Sequence, residues 1–295
     1  MAWFSFHGGH SGAFCRHAKD GLADVVERAV ALGFTHYGLS EHAPRFRAED
    51  LFSDELDLTP ADLLRTFELY RETALGLREA YADRLEIFVG FETERLPPGA
   101  WRQRMGELRA SGFDYVVGSV HDVEGRWLDV SPEETRRAAE AAGGHEPLQL
   151  AYFDALADLV TALRPEVVGH LDLVRKFEAP GFAFSAKVMR RVEQLLAVIR
   201  EAGAALDVNC GGWRRGYGPV YPLPEILKLA RRMGLGVTLG DDSHGVATVG
   251  VGLDACVAAI VEAGFEEVQR LQRCADGVRW TPTPIEDLRP ARAIA

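Results

Sequence analysis

The stretch "SFHGGHSGAFCRH", starting at Ser5, sets His7, His10, Cys15 and His17 close together, with two glycines between the first histidines. Imidazole and thiolate are ligands for zinc and other transition ions, but one such cluster forms a site only if the rest of the chain supplies partners. Candidates recur along the sequence: Glu41 with His42, then Glu92, His121, His170, Asn209, and finally Asp241, Asp242 and His244. A single histidine is more often a satisfied structural residue than a ligand, so it is the repetition that carries weight. Of the nine histidines only His36 and His145 fall outside it, and both read as scaffold or surface residues. Histidine mixed with glutamate and aspartate suits zinc, manganese or iron. The set is too large for one ion, and a centre of two or three divalent metals, with a carboxylate such as Glu92 or Asp242 bridging, is the economical reading for hydrolysis. Cys15, Cys210, Cys256 and Cys274 are scattered without a CxxC pair, which argues against a disulfide framework or a cysteine-zinc site. Cys15 itself reads as a small buried residue in preference to a thiol ligand.

These residues need elements that bring them together. Short β-branched or aromatic runs alternate with amphipathic helical patterns along the chain, which predicts strands at 3–6, 35–40, 86–91, 114–120, 166–169, 205–208 and 236–240. An eighth is a weaker expectation at EEVQRL from Glu266. "KDGLADVVERAVALG" lines up Leu22, Val25, Val26, Ala29 and Leu32 and stops at Gly33; "SAKVMRRVEQLLAVIREAG" repeats the design between Ser185 and Gly203. Strand–helix repetition of this kind means a parallel sheet buried on both faces. Each predicted strand is followed by a metal-ligand type or an amide: His7, Glu41 and His42, Glu92, His121, His170, Asn209, Asp241 and Asp242. In a parallel sheet the C-terminal strand ends share one face, and convergence from all of them is easier around a barrel than along an open sheet. The expected architecture is one α/β domain over residues 1–295, with an irregular proline-bearing tail from about 280 to 295.

Composition bounds the partners. The chain has 295 residues and a net charge of −11 from 33 basic and 44 acidic side chains, which disfavours nucleic acid. No basic segment leads into an apolar one at the N-terminus, and no uninterrupted apolar run is long enough for a membrane span; the expectation is a cytoplasmic protein acting on a small molecule.

"SFHGGHS", "FCRHA", "GLSEHAP", "VGFETE", "VGSVH", "VVGHLDLVRKF", "NCGGWRRGYGPVYPLPEIL" and "GDDSH" occur in this order. Together they resemble the PHP (polymerase and histidinol phosphatase) metal-dependent phosphoesterases, and within them the stand-alone histidinol-phosphate phosphatases. The resemblance implies a distorted (βα)7 TIM-like barrel with a trinuclear metal site at the C-terminal ends of the strands. It implies that His7 and His10 bind one metal with Glu92 and Asp242, that Glu92 bridges to a second held by His121 and His170, and that His17, His42 and His244 hold a third. Glu41 would orient a histidine, and Arg175 with Arg214 would bind substrate phosphate, Arg215 being a close competitor for Arg214. Trp127 and Trp213 would contribute to the pocket. The catalytic candidates are Glu92, Asp242 and His244.

The chain departs from the family at HGGH, where HxH is usual. On a regular strand positions i and i+3 face opposite ways, so His7 and His10 reach one metal only through a local distortion, which Gly8 and Gly9 would permit. Hydrolysis of a phosphomonoester requires metals that polarise the phosphoryl oxygens and make hydroxide available near neutral pH, and cations such as arginine on the equatorial oxygens. The implied reaction is L-histidinol phosphate plus water to L-histidinol and phosphate, in histidine biosynthesis. A phosphoesterase acting on another small phosphate or a nucleotide, and a non-catalytic metal-binding module, are the alternatives.

Overall fold

A computed structural model of the chain describes residues 3–288. Its strands, in chain order, are β1 (Trp3–Ser5), β2 (Phe34–His42), β3 (Glu86–Glu92), β4 (Tyr115–Gly118), β5 (Asp122–Val123), β6 (Arg126–Trp127), β7 (Val167–Val168), β8 (Ala205–Asn209), β9 (Val237–Gly240), β10 (Glu267–Cys274) and β11 (Gly277–Pro284). Seven of them form one sheet in the order β1-β2-β3-β4-β7-β8-β9, every neighbouring pair parallel. The sheet curls until its ends meet: Phe6 N donates to Leu239 O at 2.9 Å, and Asp242 N to His7 O at 2.8 Å. The result is a nearly closed, distorted TIM-like barrel, as the strand-end pattern required. Several strands are shorter than their apolar runs, β7 down to two residues, because the ladder ends where the chain turns into the loops that carry the polar residues.

The helices follow their sequence patterns. Leu22–Ala31 buries Leu22, Val25, Val26 and Ala29, and Ala186–Ala202 buries Val188, Val192, Leu195, Leu196 and Ile199. In both, the 3.6-residue period places one apolar stripe on the sheet and leaves charge outside. Ser185 caps the second helix by accepting from Val188 N.

Two expectations are corrected. The segment from Glu266 is no eighth barrel strand: β10 pairs antiparallel with β11 as a separate hairpin. Nor is 280–288 irregular throughout, since Trp280–Pro284 belongs to β11; residues 289–295 of the expected tail lie outside the described residues. The hairpin packs where the barrel strands begin. Arg273 bonds Ile87 O and both Asp114 oxygens and stacks on Phe88, Arg270 bonds His36, and Val268 and Leu271 are fully buried. It therefore closes the end of the barrel opposite the strand C-termini. Among the described residues no helix is long and apolar enough to cross a membrane.

Candidate metal centre

At the C-terminal ends of the strands, the last residue of β3 forms the hub. Glu92 Oε1 lies 3.1 Å from His7 Nε2, 3.3 Å from His121 Nε2 and 3.0 Å from His170 Nε2, while its Oε2 is 3.2 Å from His42 Nδ1 and 3.9 Å from His10 Nε2. Those histidines come from the loops after β1, β4 and β7 and from the end of β2, so parallel register alone brings them to one carboxylate. Three sets of ligand atoms around the hub are compact enough for an ion: His7, His10 and Asp242; His7, Glu92 and His170; and His10, His42 and Glu92. A fourth joins His42, Glu94 and His121, and a fifth joins Cys15, His17, His42 and His244.

The glycine pair makes the first set possible. β1 stops at Ser5 and the chain crosses the barrel rim with Gly8 at φ 142° and Gly9 at φ 74°, conformations an L side chain resists. Gly8 N donates to Ser40 Oγ, Gly9 N to Ser243 Oγ and His10 N to Ser243 O, each at 3.0 Å. A Cβ on Gly8 would collide with Asp241 Oδ1, and one on Gly9 would sit 2.7 Å from Leu39 Cδ2. The expected distortion is present, placed beyond the ladder rather than within it, and it turns His10 back toward Asp242, whose Oδ1 is 4.0 Å from His10 Nε2. Asp242 itself adopts φ 48°, a left-handed conformation that a non-glycine residue keeps only where its surroundings impose it.

Outer carboxylates orient the ring nitrogens. Asp207 Oδ2 is 2.6 Å from His7 Nδ1, leaving Nε2 for the hub, and Glu41 Oε1 is 3.2 Å from His10 Nδ1, the role expected of it. Glu94 Oε2 meets His121 Nδ1 at 3.1 Å, and its Oε1 lies 3.2 Å from His42 Nδ1. Asp207 and Glu94 were not anticipated. The signal for Glu94 was its i, i+2 spacing from Glu92; Asp207 gave none, because a carboxylate inside an apolar strand run looks like a register error until its partner is known. Asn209 binds Asp207 and Gly211 N, while Asp241 ties Ser5, Tyr37, Ser243 and Gly250 together as a structural turn residue.

Electrostatics keep the carboxylates ionised and raise three rings against their burial, His7 through Glu92 and Asp207, His10 through Glu41 and His121 through Glu94 and Glu92, so an ion bound there would displace their protons. Burial opposes ionisation of Glu92, but His7, His121 and His42 outweigh it and hold the carboxyl well below its usual range. Glu94 is held at about 2 despite burial, through His121 and His42, and Asp242 is lowered by His7, His244 and Arg215. Burial holds His244 well below its ordinary value, with His10 adding to it, so its ring keeps a free lone pair. The interior nitrogens His7 Nε2, His10 Nε2 and both of His42 have no well-aligned hydrogen-bond partner. Buried nitrogens left unpaired in this number fit divalent ions, which satisfy them, better than a purely structural network.

A cavity of about 340 Å³ opens onto the centre, lined by metal-site histidines, Phe52, Asp54, Asp129, Lys176, Arg215 and Tyr221. The two expected phosphate arginines do not line it. Arg175 spends Nε on Asp172 at 2.7 Å and Nη2 on Pro219 O and Val220 O, beneath the Tyr221 ring; Arg214 braces the carbonyls of Asp241, Asp242 and Val251. The cations that line the cavity are Arg215 and Lys176, the latter bonded to Asp129 O and 3.6 Å from its carboxylate, a correction forced by loop geometry that spacing cannot report. Trp127 stands behind Phe52 with ring centroids 4.6 Å apart, and Trp213 is 44% exposed away from the lining. His36 is buried under Arg270, and His145 is exposed beside Glu178.

The site and barrel have counterparts. A family model described as the PHP domain matches residues 8–211. A Schizosaccharomyces pombe protein named "Probable histidinol-phosphatase" is 34% identical over 91% of this chain and 89% of its own. The crystal structure of a Listeria monocytogenes protein superposes with a TM-score of 0.74 at 28% identity, covering 85% of this chain and 99% of that one. That of histidinol phosphate phosphatase from Lactococcus lactis, complexed with zinc, L-histidinol and phosphate, reaches 0.65 at 21% identity, covering 90% and 95%, and shares the fold. With its barrel, its histidine–carboxylate centre and these matches, the chain belongs to the PHP domain family.

Proposed function

We propose that this chain is a metal-dependent phosphomonoesterase that hydrolyses L-histidinol phosphate to L-histidinol and phosphate, in the cytoplasm and within histidine biosynthesis. The observation that carries the reading is the convergence of His7, His42, His121 and His170 on Glu92 beside a cavity that also presents Arg215 and Lys176. His7, His10, Glu92 and Asp242 would hold one divalent ion, Glu92, His121 and His170 a second, and His17, His42 and His244 a third; zinc, manganese and iron all suit these donors. Such ions polarise phosphoryl oxygens and lower the pKa of water.

The protein's own side chains do the rest. Arg215 and Lys176 neutralise the phosphate, Arg215 through its planar fork. Asp207 and Glu41 keep His7 and His10 in the tautomer that presents Nε2 inward. Asp54 and Asp129 line the cavity and give it the acidic character suited to the amine and imidazole of histidinol, and Phe52 offers an aromatic wall.

Turnover across a panel of phosphomonoesters tests the substrate, and Glu92→Ala tests the centre. Histidinol phosphate should be preferred, and the variant should lose at least ~10³-fold in kcat, since several ligands lose their common carboxylate. A flat panel would refute the substrate, and activity that survived loss of Glu92 would refute the hub.

A further inference from the structure

Cys15 occupies a position that the histidine sets leave unexplained. It sits on a tight turn in which Phe14 N and Cys15 N both donate to Ser11 O, at 3.0 and 2.9 Å, and its side chain points inward with only 6% of the residue exposed. Sγ lies 3.2 Å from His17 Nε2, and Sγ and one nitrogen each of His17, His42 and His244 all fall within 4.8 Å of one another. A tetrahedral zinc with S and N donors at ordinary bond lengths would hold those atoms about 3.5 Å apart, so the group needs only small rotations to close. Both nitrogens of His42 are buried without an aligned partner, an independent sign that the ring serves an ion.

We infer that Cys15 is the fourth protein ligand of the ion held by His17, His42 and His244, which makes this site a sulfur-and-three-imidazole set for a soft divalent metal. On binding, the S–H bond breaks, sulfur keeps the electron pair and donates it to the ion, and the proton leaves to solvent through the cavity. Four protein donors complete a tetrahedral shell, and a thiolate favours zinc or iron over manganese. This ion is therefore chemically distinct from those at Glu92, whose donors are nitrogen and oxygen alone.

The test uses the full-length protein, stripped with chelator and titrated with cobalt(II). The wild type should develop a near-ultraviolet thiolate-to-cobalt charge-transfer band that saturates with one of its ions and releases a proton. Cys15→Ser should lack the band and bind that ion at least ~100-fold more weakly, at or beyond the 10–100-fold that loss of a merely outer partner costs. Cys274→Ser, which changes an exposed thiol, should keep it. Wild-type protein that fills with cobalt and shows no band, or a band that persists in Cys15→Ser, would overturn the assignment; if Cys15→Ser does not fold, the wild-type spectrum decides alone. The spectrum does not depend on the substrate: a band without histidinol phosphate turnover supports this ligand and refutes the proposed substrate, whereas turnover without a band does the reverse.

Discussion

Replacing Gly8 with alanine tests the reason for the unusual histidine spacing. The new methyl group would be held at φ 142°, a conformation that costs an L residue about 1–3 kcal/mol. It would also press on Asp241 Oδ1 and lie 2.9 Å from Ser243 N, both fixed by buried hydrogen bonds, and overpacking at such a point costs about 1–3 kcal/mol more. The sum, about 4 kcal/mol, corresponds to a fall in Tm of ~6 °C for a chain of this size. Because only Gly9 separates Gly8 from His10, the strain should also displace that ring, and metal content should drop as stability does. Thermal unfolding of metal-free protein measures the first effect, and elemental analysis after reconstitution the second. Gly76→Ala is the control: it lies within the helix Pro60–Ala80 with nothing near its Cβ position, so the same substitution there should stabilise by ~0.5–1 kcal/mol. Gly8→Ala protein that kept both its Tm and its full metal complement would refute the argument.

Arg215→Ala should lower kcat/KM for histidinol phosphate by ~10²–10³-fold with little change in Tm, whereas Arg214→Ala, which frees three loop carbonyls, should lower Tm; the opposite pattern would restore Arg214 as the phosphate ligand. Asp207→Asn removes the carboxylate 2.6 Å from His7 Nδ1 and should weaken metal binding ~10–100-fold in an equilibrium titration; unchanged affinity would show that packing alone orients the ring. His36 is held near pKa 4 by burial and then by Arg270, whose guanidinium meets its Nε2, against the Glu86 carboxylate 3.1 Å from the same nitrogen. The unfolded chain takes up this proton near pH 6.5 and the folded one only near 4, so stability is level above 6.5 and falls below it, with solvent screening and Glu86 limiting the loss to about 1 kcal/mol at pH 5. Denaturant unfolding at pH 7 and pH 5 should show that loss in the wild type and a smaller one in His36→Gln; equal losses would remove His36 as the cause.

Much of the molecule was legible in its residues. Alternating apolar runs of period two and 3.6 implied a parallel sheet, and the recurrence of histidine and carboxylate after each run implied one polar face and favoured a barrel, because both follow from local backbone geometry. The HGGH spacing foretold a distortion for the same reason: side-chain direction on a strand depends only on parity. What local rules cannot report is which of several neighbouring groups faces the cavity. Arg214 and Arg215 are adjacent in sequence, yet one braces the carbonyls of Asp241, Asp242 and Val251 while the other lines the cavity, a choice made by the helical turn Gly211–Arg214 packed against the loop after β9. Asp207 sits inside the predicted strand 205–208 and acquires its role only because the fold sets it against His7, 200 residues away. Cys15 looked incidental until a turn aimed its sulfur at three histidines. The C-terminal β-hairpin was mistaken for a barrel strand and a tail, since its role as a plug depends on contacts with strand beginnings far along the chain. Periodicity and residue type determined the architecture and the ligand inventory; long-range packing, which alone fixes side-chain direction in loops, decided how that inventory was divided.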